Sequence, residues 1–304
     1  MANRITLRLV EQANQRWRDL LPTGVEPTLE LYRDGTTRMF AEFVVPDDAE
    51  IRKLTAGGVP LVSVRAPGAN NDLTAIHLHS GGCVMGTAND YREFAYRLSG
   101  ALGARVLVVD YRLAPEHPFP AQLEDSLAAY RWLTQTVDPK RIVLTGDSAG
   151  GGLVLATMMA LRDAGDQQPA AAALISPVTD YAGEGPSLLK FLGADPVITE
   201  SITTTCLARY LEGIDPKTTP LVSPLYGDAS GLAPVYFEVG EIECLLDDST
   251  RMHANIQKAG GISEIEIVPN VPHIWTVFPY LDESAETLGR IAKFVARCAA
   301  AEPA

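Results

Sequence analysis

Continuous apolar runs alternate with amphipathic stretches along most of this chain, and that alternation limits its fold more than any other feature. "TAIHLHS", "ARVLVVDY", "RIVLTG", "AAALISP", "PVYFEVG" and "SEIEIVP" read as strands buried on both faces. Between and after them, "DYREFAYRLSGAL", "AQLEDSLAAYRWLTQ", "AGGGLVLATMMALRDAG", "DDSTRMHANIQKAG" and residues 284–300 read as helices, with Pro120 placed to start the second. Two further strands flank Gly57-Gly58 in "IRKLTAGGVPLVSVRAP". The pattern predicts an α/β fold with a mostly parallel, eight-stranded sheet covered by helices on both faces.

Two segments fall outside the alternation. Residues 5–20, with Ile5, Leu9 and Trp17 among charges, and residues 28–41 read as amphipathic helices with no strand between them. The stretch between "AAALISP" and "PVYFEVG" is far longer than a crossover needs and includes a helix, "TESITTTCLARYL". The expectation is one domain over 1–304, with a cap over the strand ends built from about residues 1–45 and about 181–218.

Composition narrows the class of partner. A net charge of −13 argues against nucleic acid and anionic membrane surfaces. With 46% hydrophobic and 21% charged residues, the chain can bury a large core. The four cysteines, Cys83, Cys206, Cys244 and Cys298, are scattered without metal spacing and read as free thiols. The N-terminal residues lack an apolar signal core, and no run of about 18 apolar residues occurs. A cytoplasmic location is expected.

Chemistry concentrates in "RIVLTGDSAGGG". Gly146-Asp147-Ser148-Ala149-Gly150 fits G-x-S-x-G between a strand and an apolar helix, the setting of an exposed nucleophile on a sharp turn. Gly146 and Gly150 are needed there because side chains would collide across the turn. The competing reading makes Ser148 a plain helix cap. A serine hydroxyl needs a base. Of five histidines, His273 in "IVPNVPHIW" follows the last strand, at the sheet edge where open α/β sheets hold their sites. His117 and His253 read as structural or exposed. His77 and His79 form an H-x-H pair, but no carboxylate or third histidine is arranged nearby, so neither a metal nor another cofactor is expected.

The base needs an acid after a strand between Ser148 and His273. "PVYFEVGEIECLLDDS" offers Glu241 and Glu243 in the post-strand loop. Asp247 and Asp248 read as the N-cap and first turn of the next helix. An oxyanion formed at Ser148 requires backbone donors. Ala149 supplies one, and the loop "HSGGC" after "TAIHL" supplies Gly81 and Gly82, with His79 as a brace.

These motifs resemble the bacterial hormone-sensitive-lipase-like esterases of the α/β-hydrolase superfamily, a group that includes small esterases and monoterpene lactone hydrolases. The resemblance runs over about residues 59–298 and rests on "HSGGC", "VVDYRLAPEHPFPAQLEDSLAAYRWL", "GDSAGGG", "DPVIT", "SPLYGD", "VGEIECLLDD" and "PHIW". It implies Ser148 as nucleophile, His273 as base, Glu243 as acid, and Gly81, Gly82 and Ala149 as oxyanion donors. Asp147 would brace the turn. It also implies a helical cap and, in many members, a homodimer through a sheet edge.

Three departures bear on the pocket. The usual His-Gly-Gly-Gly reads His79-Ser80-Gly81-Gly82, the aromatic residue after it is Cys83, and the tryptophan after Ser-Pro is Val178. Ser80, Cys83 and Val178 are therefore expected at the pocket, with the Ser80 hydroxyl bonded within its loop and glycine-like backbone strain a concern at Ser80. The function expected is hydrolysis of short-chain or small-molecule carboxylic esters through an acyl-enzyme. Lactone hydrolysis or small-molecule deacetylation is the variant within that class. The alternative from another class is a non-catalytic ligand-binding protein on a hydrolase scaffold, which turnover of a simple ester distinguishes.

Overall fold

A computed structural model describes residues 28–300 together with Val10, Gln12 and Gln15. The helix expected over residues 5–20 lies outside the described residues except at those three positions, each of which is helical.

The sheet has eight strands: β1 (Glu50–Ala56), β2 (Val59–Arg65), β3 (Asn70–Leu78), β4 (Ala104–Val109), β5 (Ile142–Asp147), β6 (Ala171–Ile175), β7 (Val235–Gly240) and β8 (Ser263–Val268). Their spatial order is β1-β2-β4-β3-β5-β6-β7-β8. β2 pairs antiparallel with β1 and β4, and every other pair is parallel. The β1–β2 hairpin turns on Gly57 and Gly58, both with positive φ (60° and 91°), as a two-residue turn demands. β5, β6 and β7 are buried at every position, while the edge strand β1 is exposed at most of its length. Central parallel strands need apolar side chains on both faces, and edge strands do not.

The helices are α1 (Leu29–Ala41), α2 (Arg92–Leu102), α3 (Ala121–Thr134), α4 (Ala149–Ala164), α5 (Pro186–Phe191), α6 (Glu200–Leu211), α7 (Leu246–Lys258) and α8 (Asp282–Ala300). α2 and α4 stop at Gly103 and Gly165, whose left-handed conformation closes the last turn. One core face packs Leu144, Leu174 and Phe237 against α3 and α4 through Tyr130, Leu155 and Met158. The other packs Val106, Val143 and Ala173 against α2 and α8 through Phe94, Ile291 and Phe294.

A third, smaller cluster lies at the C-terminal end of the strands. It joins Leu29 and Tyr32 of α1 to Tyr210 of α6, Tyr181, and Val84 and Met85 of the loop after β3. Arg33 pins α1 there: its guanidinium donates to the carbonyl oxygens of Val84 (2.7 Å) and Ala114 (2.9 Å) and pairs with Glu116 (2.7 Å). Among the described residues, no helix is long and apolar enough to cross a membrane.

Candidate active site

Ser148 occupies the turn between β5 and α4 with φ 53° and ψ −123°, a conformation that costs free energy for any residue with a side chain. The surrounding glycines make the turn possible. A Cβ on Gly146 would lie 2.5 Å from the Gly150 carbonyl oxygen, across the turn as the sequence suggests. A Cβ on Gly150 would lie 2.0 Å from the Leu78 carbonyl oxygen, so that glycine is needed for the neighbouring strand β3 instead. The turn is not a plain helix cap, since the Ser148 side chain makes no capping bond.

Ser148 Oγ lies 2.9 Å from His273 Nε2, and His273 Nδ1 lies 3.2 Å from Glu243 Oε1. All three side chains are nearly or fully buried. A carboxylate at Nδ1 leaves Nε2 with the lone pair facing the serine. Burial disfavours the imidazolium, but the hydrogen bond and charge of Glu243, with Asp195 and Asp147 adding, hold the His273 pKa above its ordinary value. Glu243 is fixed in turn: its Oε2 accepts from Ser176 Oγ and from the Gly240 amide, each at 2.7 Å. Ser176 Oγ also accepts from the Ile274 amide at 3.3 Å, joining Glu243 to the residue after His273.

The other carboxylates point elsewhere. Glu241 is exposed and accepts from the Asn270 amide at 3.2 Å. Asp247 and Asp248 lie in the first turn of α7, but neither is its N-cap, which is Leu245. Instead they tether the segment after β6: Asp247 accepts from the Ser187 amide (2.6 Å), and Asp248 from the amides of Thr179 (2.7 Å) and Asp180 (2.8 Å).

The loop after β3 passes beside Ser148. Gly81 and Gly82 have φ 112° and 61° and line the cavity above the serine. Among the described residues, none accepts a hydrogen bond from the amides of Gly81, Gly82 or Ala149. His79 Nδ1 meets its neighbour's carbonyl oxygen, Ser80 O, at 2.7 Å, and its ring stacks on Tyr111 at 4.2 Å, consistent with a brace. His77 is sequestered in the core: Nδ1 lies 3.0 Å from Thr145 Oγ1, and Nε2 faces Asp147 Oδ1 at 3.2 Å without hydrogen-bond geometry. Among the described residues, no group of three or more His, Cys, Asp or Glu side chains comes together to hold a metal ion.

Three expectations at the departures need correction. The Ser80 hydroxyl bonds outside its loop, to Tyr91 Oη at 2.6 Å, and left-handed backbone falls on Cys83 (φ 60°) and not on Ser80. That φ turns Cys83 away from the cavity. It is 1% exposed and lies in the cluster behind the lining, with Sγ 4.0 Å from Tyr181 Oη. Burial pushes its thiol up to about 12. Ser80 and Val178 do line the cavity.

The cavity holds about 210 Å³ and ends on Ser148 and His273. Its walls are Met39 and Phe40 of α1, Val178, Leu188, Val197 and Ile198 of the segment after β6, and Ile274. Cys206 of α6 packs against Gly82, where a Cβ would lie 2.4 Å from the sulfur. Sequence reasoning missed Tyr91, Ser176 and Asp195. Asp195 is 3% exposed and accepts from the amides of Val197 (2.9 Å), Ile198 (3.1 Å) and Cys244 (3.2 Å), linking the cavity wall to the Glu243 loop. The only signal for it was its place in "DPVIT".

The α/β-hydrolase-fold family matches residues 75–277. An acetyl-hydrolase from Streptomyces hygroscopicus is 38% identical over 266 residues, covering 87% of each chain. An esterase from Acinetobacter venetianus is 29% identical over 95% of this chain and 92% of its own. The crystal structure of an esterase from the bacterial hormone-sensitive lipase family superposes with a TM-score of 0.91 at 38% identity, over 97% of this chain and 98% of that one. With the fold, the serine turn and these likenesses together, the chain belongs to the hormone-sensitive-lipase-like esterases of the α/β-hydrolase superfamily.

Proposed function

We propose that this carboxylic ester hydrolase acts on short-acyl or otherwise small esters, with Ser148 as nucleophile, His273 as base and Glu243 as the acid that orients it. The observation that carries the reading is the buried line Ser148 Oγ–His273 Nε2–Glu243 at the floor of an apolar cavity of about 210 Å³. His273 Nε2 takes the hydroxyl proton as Ser148 Oγ bonds to the ester carbonyl carbon. The carbonyl oxygen becomes an oxyanion, and the free amides of Gly81, Gly82 and Ala149 are the donors assigned to it. His273 then gives its proton to the departing alkoxide, leaving an acyl-serine. Water attacks that acyl group with His273 again as base, and Ser148 leaves with the proton.

The lining supports a neutral substrate. Its polar groups include Thr36, Thr199 and Thr203, and its one carboxylate among the described residues, Asp180, is held by Arg251 at 2.7 Å, which favours a neutral substrate over a charged one. The likeness to an acetyl-hydrolase supports short acyl groups. α1 and residues 181–218 are read as the cap that sets this limit. The free cysteines suit a reducing compartment, and the cytoplasm is the proposed location.

The test is a fluorophosphonate probe followed by peptide mapping, together with Ser148→Ala. Label on Ser148 and loss of roughly 10⁴–10⁶-fold in kcat, as in other serine triads, with an unchanged thermal midpoint, is the expected result. Label on another serine, or an active variant, defeats the assignment. Rates on acetate and butyrate esters and on simple lactones under one set of conditions decide between the ester and lactone variants.

A further inference from the structure

Beyond the strand pairing beneath them, the two halves of the site, the glycine loop and the serine turn, are bridged by a buried hydroxyl. Tyr91 precedes α2 and is fully buried. Its ring is clamped by Phe40, His77, His79 and Phe94, with centroids 4.9–5.9 Å away. Its hydroxyl donates to Asp147 Oδ2 at 2.6 Å, on the residue immediately before Ser148. The same oxygen accepts from the Ser80 amide at 3.2 Å and lies 2.6 Å from Ser80 Oγ. A phenol has one proton and two acceptor positions. Asp147 takes the proton, so the amide and hydroxyl of Ser80 fill the two acceptor positions and every bond has a partner. Burial first, then the charge of Asp147, pushes the Tyr91 pKa well above its ordinary value, which keeps the phenol a donor.

Other restraints on this loop run elsewhere. The amides of Val84 and Met85 close it on the Gly81 carbonyl, and Tyr111 Oη donates to the His79 carbonyl from the chain after β4. Beside the backbone pairing of β3 with β5, which ends at Leu78 and Gly146, the connection through Tyr91 is, among the described residues, a side-chain hydrogen-bonded path from the loop to the serine turn. Its loop end is Ser80, which stands directly before Gly81 and holds the place where the family pattern has glycine.

Resting on the reading of Gly81 and Gly82 as oxyanion donors, we propose that Tyr91 is a positioning residue. The Ser80–Tyr91–Asp147 connection sets the distance between those donors and Ser148, and the Ser80 hydroxyl adds a second bond at its loop end. Donors aimed a fraction of an ångström wrong stabilise the transition state less while leaving substrate binding alone. The effect therefore falls on kcat and on ligands that carry an oxyanion.

The experiment compares the full-length wild type with Tyr91→Phe, Ser80→Ala and the double variant. Each is assayed for kcat, KM, thermal midpoint, fluorophosphonate labelling of Ser148, and inhibition by a trifluoromethyl ketone, whose serine adduct carries an oxyanion. Tyr91→Phe should lose ~10–100-fold in kcat, short of the ~10²–10³ lost with a whole donor. Its KM should stay within about twofold while ketone affinity falls by the same factor as kcat. Ser80→Ala should lose about threefold in both, the scale of one net hydrogen bond. The double variant should be no worse than Tyr91→Phe, because both cut one connection. A lowered thermal midpoint with normal kcat and ketone affinity would reduce Tyr91 to a structural residue. Multiplicative losses in the double variant would separate the two residues and overturn the shared path. If Tyr91→Phe fails to fold, an unaltered kcat and ketone affinity in Ser80→Ala overturns the proposal by itself. Absence of label on wild-type Ser148 is a different result: it sinks the nucleophile assignment, and the positioning role with it.

Discussion

The turn that carries Ser148 and the walls that close the cavity above it are built on opposite principles. At the turn, backbone meets backbone: a Cβ on Gly150 would come within 2.0 Å of the Leu78 carbonyl, and one on Gly152 within 2.0 Å of the Val178 carbonyl. Such contacts relax little, because both partners are main chain: α4 against β3 at Gly150, and α4 against the segment after β6 at Gly152, where the Val178 amide is itself bonded to the Ser148 carbonyl. In the walls, Met39, Phe40, Leu188, Val197 and Ile198 meet the cavity as flexible or interchangeable apolar side chains. Apolar exchanges of similar volume usually cost under about 1.5 kcal/mol. On the proposed reading, the chemistry is held by parts that tolerate little change, and the choice of substrate by parts that tolerate much.

Substitutions on the two sides should behave accordingly. Gly81→Ala breaks the rigid side: the new Cβ would lie 2.1 Å from the Met85 carbonyl oxygen at a φ of 112°. Loss of ~10²–10³-fold in kcat, the scale of a lost oxyanion donor, is expected on every ester, read by steady-state rates on acetate and butyrate. Val178→Trp probes the other side. The Val178 amide donates to the Ser148 carbonyl at 2.9 Å, so the larger side chain must project into the cavity from a fixed point. Acetate turnover should change little, and larger esters should lose about fourfold per excluded methylene, from ~0.8 kcal/mol each. Equal losses on both esters would mean that this wall does not select.

The smallest effect is a shift in pH dependence. As the proposed base, His273 must be neutral to take the serine proton, and its pKa is held above the usual 6.5 by Glu243 despite burial. kcat/KM should therefore fall as pH drops, with a midpoint above 6.5. In Glu243→Gln the residual activity should show that midpoint moved to lower pH, because burial then acts with less opposition. A midpoint unmoved by the substitution would remove Glu243 from contact with the base.

What the sequence made legible follows the same division. The eight strands, the serine turn and the glycine loop could be read because each imposes residue types on the backbone. His273 could be read because few histidines competed for its place. Glu243 could not be separated from Glu241 by loop position alone. The structure separates them by burial, with Glu243 enclosed by Ser176 and Gly240 and Glu241 left in solvent. Tyr91 and Ser176 left no trace, because their bonds join positions 56 and 67 residues apart and no local pattern encodes such a pairing. Cys83 was misplaced for a related reason. Its size suggested a roomier pocket, but its φ of 60° directs the side chain into the cluster with Tyr181 and Tyr210.

In the proposed mechanism the buried Glu243–His273–Ser148 line performs the chemistry while the cavity walls only select. This division is tested most directly by kcat of Glu243→Gln and Asp247→Asn on acetate and butyrate esters at fixed pH. The prediction is a loss of roughly 10²–10⁴-fold for Glu243→Gln, equal on the two esters, and less than about tenfold for Asp247→Asn, which tethers the Ser187 amide and lies outside the line. A larger loss in Asp247→Asn, or a Glu243→Gln loss confined to one ester, would contradict it.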